Sequence, residues 1–165
     1  MKYFSQKDFG ACGAVALANA LVWAEAPRPD LKKIDWHCRR GVIIGGTPTE
    51  RITEVLRKNK ESLRYKRKNR PTFGDIREHL HAGGAALLQF CWPNSHTGHY
   101  CLIIGLADAL DKKLGVNSVG FVVINWEEGK ALKRIIVKRR IDNVLNIKRY
   151  GAPRVWLLSK KVWAP

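Results

Sequence analysis

The residue pattern of this chain changes at position 85, and that change limits what it can fold into. Beyond it lie five apolar runs, "AALLQFCW" (85–92), "HYCLIIGL" (99–106), "VGFVVINW" (119–126), "RIIVKRRI" (134–141) and "RVWLLSKKVW" (154–163). Each is rich in branched and aromatic side chains and bounded by turn-forming residues, which predicts strands. The pattern before it is mostly helical. Residues 12–25 carry small and aliphatic side chains on nearly every face, as a mostly buried helix beginning near Cys12 would. "PDLKKIDWHCRRG" (29–41) predicts a short helix stopped by Gly41. In "TPTERITEVLRKNK" (47–60), Thr47 and Glu50 predict a capping box, Pro48 suits the first turn, and Ile52, Val55 and Leu56 form a buried stripe. "SLRYKRK" (62–68) is expected as an edge strand protected by lysines, and "TFGDIREHLHAGG" (72–84) as a helix closed by its glycine pair. Helices first and strands afterwards predict an α+β fold, with the helices on one side of an antiparallel sheet.

A chain of 165 residues can bury one sizeable core, so a single domain over 1–165 is expected. Cys12, Cys38, Cys91 and Cys101 have no CxxC or disulfide-framework spacing, which points to thiols in a reducing compartment and to a cytoplasmic location. The apolar stretch 13–24 after Lys2, followed by "AEA" (24–26), has the outline of a secretory leader. Lys7 and Asp8 just before it and Asn19 within it argue instead for a folded helix. No other apolar run approaches the roughly 18–20 residues of a membrane span, so none is expected.

Thirty Lys and Arg against fourteen Asp and Glu leave a formal charge of +16. The excess is concentrated in 57–70 and 130–149, and such a field attracts nucleic acid or another acidic partner. The competing expectation is a solvated surface that keeps the chain soluble.

A cysteine attacks carbonyls as thiolate, and a helix N-terminus favours that form by placing amide donors beside the sulfur. Cys12, ahead of the Ala-rich helix, has that position. Gln6 is the candidate side-chain donor to a developing oxyanion, together with the Cys12 N–H. His99 opens one apolar strand as a candidate base, and Asn125 closes another as the residue that orients it through its amide oxygen. Trp126 is placed to shield that hydrogen bond. Cys101 shares a sheet face with His99 and is expected in the core, as are Cys38 and Cys91. His96 lies in the polar loop "PNSHTG" and is the weaker base. His79, His81, His96 and His99 have no carboxylate or cysteine at ligand spacing, so no metal or cofactor is expected.

Together "Q-K-D-F-G-A-C-G", "G-H-Y-C-L-I-I-G" and "V-V-I-N-W" resemble the papain-like cysteine peptidases, with Gln, Cys, His and Asn in the same chain order. The layout is most similar to the small branch that includes the double-glycine leader peptidases of bacteriocin exporters. It departs from that branch in having Asn125-Trp126 where Asp-Pro is common, and in "ADALDKKLGVNS" (107–118), which lengthens a hairpin. The resemblance implies Cys12 as nucleophile, His99 as base and then acid, Asn125 as orienter, and Gln6 in the oxyanion hole. It implies a protein or peptide substrate cleaved through an acyl-enzyme. Two alternatives stand beside it: an acyltransferase or deamidase using the same site, and a polyanion-binding module on the same scaffold.

Overall fold

The computed structural model of the chain describes residues 2–6, 10–40, 46–93, 98–127, 132–147 and 152–161. In chain order the elements are α1 (Cys12–Trp23), α2 (Leu31–Arg39), α3 (Thr49–Lys58), β1 (Leu63–Asn69), α4 (Phe73–His81), β2 (Ala85–Cys91), β3 (Gly98–Asp111), β4 (Val116–Ile124), β5 (Lys133–Val137), α5 (Lys138–Leu145) and β6 (Arg154–Lys160). Among the described residues the six strands form one antiparallel sheet in the order β1-β6-β2-β3-β4-β5. The expected α+β class therefore holds. So does the edge position of the lysine-rich strand, because β1 pairs only with β6.

Strand side chains alternate between faces, and here both faces are covered. On one, α1, α2 and α3 bury Leu17, Leu21, Cys38, Ile52 and Leu56 against Leu87, Tyr100, Leu102 and Trp156. On the other, α4 and α5 bury Phe73, Ile76, Ile141 and Val144 against Leu88, Phe90, Cys101 and Val123. This corrects the expectation of helices on one side. The second layer was hidden in "RIIVKRRI", which is not one strand: β5 ends at Val137 and α5 starts at Lys138. Only the next few residues carry the helical signal, with Ile141, Val144 and Leu145 as its buried stripe.

The predicted capping box at Thr47 and Glu50 does not form either. α3 begins one residue later than that box requires, with Pro48 at its N-cap position and no side-chain cap. Thr47 is instead buried against α1. A Cβ at Gly13 would fall inside the van der Waals shell of the Thr47 side chain, so glycine permits this close approach. The Thr47 carbonyl accepts from the Tyr100 hydroxyl at 2.8 Å. A capping box is present at α4, between Thr72 and Asp75.

Candidate active site

All twelve residues of α1 are buried, which explains its lack of an amphipathic stripe. Cys12 is its first residue and is 6% exposed. The N-cap is Ala11, no side chain caps the helix, and its first turn holds no acid. Among the described residues, the amide donors and the positive end of the helix dipole at Cys12 are thus neither spent on a side-chain cap nor offset by an acid in the first turn.

The other three cysteines sit in different surroundings. Burial pushes the Cys38 thiol up to about 12, opposed by the Thr47 hydroxyl beside it. Burial raises the Cys101 and Cys91 thiols as well. A charge on Cys12 adds to the rise at both Cys101 and Tyr100, after burial. Cys12 belongs to the same buried cluster as Tyr100 of β3, the strand that also carries His99.

His99 is the second residue of β3 and is buried. It pairs in register with Phe90 on β2. Its ring packs edge-on to Phe90, with centroids 5.6 Å apart, and lies 5.8 Å from the ring of Trp92. Trp126, 1% exposed, stacks on Phe90 at 4.9 Å and completes an aromatic wall. The His99 Nε2–H donates to the backbone carbonyl of Asn125 at 2.8 Å. That bond fixes the tautomer and makes Nδ1 the basic nitrogen.

This differs from the expected partner, the Asn125 amide oxygen. Asn125 follows β4 with φ 55°, a left-handed conformation that asparagine tolerates better than most residues. Its side chain reaches the N-terminal segment instead. Asn125 Nδ2 donates to the Phe4 carbonyl at 2.8 Å, and Asn125 Oδ1 accepts from the Gln6 backbone N–H at 3.3 Å. Gln6 is itself buried.

Sequence reasoning missed the other half of this network. Asn19, fully buried in α1, accepts from the Phe4 N–H at 2.7 Å and donates to the Phe4 carbonyl at 3.0 Å. Phe4 is thus a strut between the cysteine helix and the Asn125 turn. A polar residue inside a wholly apolar run was the available signal, since a buried amide needs partners. Hydrogen bonds bring Gln6, Asn125 and His99 together, and α1 packs Cys12 into the same buried cluster as Tyr100, which follows His99 in β3. His96 lies outside the described residues. Among the described residues no cluster of three or more His, Cys, Asp or Glu could hold a metal.

A cleft of about 970 Å³ lies against the N-terminal segment, α1 and α2, with Phe4, Ala11, Val15 and Leu31 in its lining beside the charged Glu25, Arg28 and Asp35; Cys12, His99 and Asn125 do not line it.

No family model matches the sequence, and no curated protein matches it. Among solved structures, the chain is similar to a candidate C39-like peptidase from Bacillus anthracis. The TM-score is 0.63 at 10% identity, over 97% of this chain and 96% of that one. At that identity the likeness establishes the fold, a C39-like, papain-like α+β arrangement.

Proposed function

We propose that this protein is a papain-like cysteine peptidase that cleaves peptide or isopeptide bonds through an acyl-enzyme. The observation that carries the reading is an uncapped helix N-terminus bearing Cys12 beside a strand whose His99 has a fixed tautomer. Cys12 Sγ attacks the scissile carbonyl carbon while His99 Nδ1 takes the thiol proton. The oxyanion is met by the Cys12 N–H and the Gln6 side chain. His99 then gives its proton to the leaving amine, and water releases the acyl group by the reverse sequence. Asn125 positions His99 through its carbonyl and Gln6 through its side chain. Phe90, Trp92 and Trp126 keep water from the His99 bond, which strengthens it.

A thiol-directed probe tests this. Wild type is expected to be labelled at neutral pH, Cys12→Ala not, and Cys38→Ala, Cys91→Ala and Cys101→Ala as wild type. Equal labelling of the Cys12→Ala variant sinks the reading. His99→Ala should lower kcat/KM on a cleaved peptide by about 10²–10⁴-fold. Product masses from a peptide mixture then identify the bond cut; cleavage after Gly-Gly is the outcome expected of the leader-peptidase branch.

A further inference from the structure

The two basic segments are not equivalent in the folded chain. In 130–149, each of Arg134, Lys138, Arg139 and Arg140 is ion-paired, to Glu127, Asp142, Asp111 and Glu127 respectively. Four of the five described cations there are thus held in ion pairs, on three carboxylates. In 57–70 all eight cations are exposed, and among the described residues only Lys68 meets a carboxylate, that of Asp75. Arg57 and Lys58 end α3, Lys60 lies in the turn that follows, and Arg64, Lys66 and Arg67 continue along β1 to Arg70. A dense run of exposed and mostly unpaired cations therefore covers the end of α3 and one outer edge of the sheet.

Among the described residues that edge has no further strand paired to it, which raises the question of what it accepts. Lysine and arginine along an edge strand oppose the entry of another strand, so a partner must be gripped by charge rather than by ladder hydrogen bonds. Single-stranded nucleic acid is usually held by aromatic stacking platforms. The only aromatic residue in 57–70 is Tyr65, half-buried against the α1 core. The site contains many cations and lacks a stacking surface. The geometry points to β1 and the end of α3 as a docking surface for duplex nucleic acid, which it holds by its phosphates without regard to sequence. This site is separate from the proposed active site, since β6 and β2 lie between β1 and β3.

The test measures binding of a fluorescent 20-base-pair duplex to the full chain by anisotropy from 50 to 200 mM salt. Contact with four to six phosphates predicts a log–log slope of about −4 to −5. The variant Arg64→Glu/Lys66→Glu should bind at least about 10-fold more weakly at 100 mM salt, with the slope flattened by about 2. Lys112→Glu/Lys113→Glu, at the exposed turn between β3 and β4, changes net charge equally and should leave affinity within about 3-fold, as expected of contacts beyond the Debye length. Arg64→Gln/Lys66→Gln repeats the test if charge reversal impairs folding. A slope near zero, equal weakening by both reversed pairs, or tighter binding of a poly-glutamate peptide than of the duplex overturns the assignment. Cys12→Ala should bind like wild type, so the result is independent of whether the chain cleaves peptides.

Discussion

At the scale of single residues, the place of Asn125 at the end of an apolar strand makes it a candidate, but which of its atoms faces His99 cannot be read there. Which atom faces His99 depends on a left-handed φ and on the position of Phe4, both set by tertiary structure. The two are separable by substitution. Removing the side chain leaves the carbonyl acceptor in place, and a φ of 55° favours glycine over alanine by roughly 1 kcal/mol. Asn125→Gly is thus expected to be more stable than Asn125→Ala in urea melts, the reverse of their usual order. Both should keep more of the proposed peptidase activity than His99→Ala. An Asn125→Ala protein as stable as Asn125→Gly, or as inactive as His99→Ala, contradicts this account of the turn.

At the scale of elements, composition and periodicity located α1 to α4 and the cores of the strands, but not every end. Thr47-Pro48-Thr49-Glu50 has the residues of a capping box, yet the packing of Thr47 against Gly13 determines where α3 starts. Packing overrode a local preference worth about 1 kcal/mol. Where nothing competes, as at Thr72 in α4, the same motif forms. There the Lys68 ammonium and then the Thr72 amide hold the Asp75 carboxyl down at about 2. A depressed carboxyl favours the folded state above its unfolded value of about 3.9, and the contribution is lost as pH falls through about 2. Wild type should therefore melt above Asp75→Asn at pH 6, with the gap narrowing below pH 4 and gone only below about pH 2. Thr72→Ala is expected to cost about 1 kcal/mol.

For the molecule as a whole, α5 shows why the two-sided architecture was not legible. Its stripe begins inside a run of branched residues, and β5 and α5 meet without a loop between Val137 and Lys138. Period and length cannot divide a segment that changes conformation without a break. Chain order has energetic consequences here as well. β2, β3, β4 and β5 follow one another as neighbours, whereas β1 has β6 as its sole sheet partner, with Leu63 opposite Lys160. Contacts so distant in sequence form late, because the intervening chain must first be ordered. Leu158→Ala in β6 and Leu102→Ala in β3 each empty a fully buried site and should cost about 3 kcal/mol. In stopped-flow measurements the β6 variant is expected mainly to unfold faster and the β3 variant mainly to fold more slowly. Equal slowing of folding by both contradicts this order.

Seen from the ribosome, the same pairing sets a timetable. Domains begin to order from the N-terminal end as they are made. The most cationic strand, β1, emerges before β2 to β5, but its seat in the sheet exists only once β6 has followed. Throughout synthesis of the intervening residues it is a charged segment with no strand to hold it. The lysines and arginines that keep foreign strands off the finished edge thus also protect the nascent chain from mispairing during that wait.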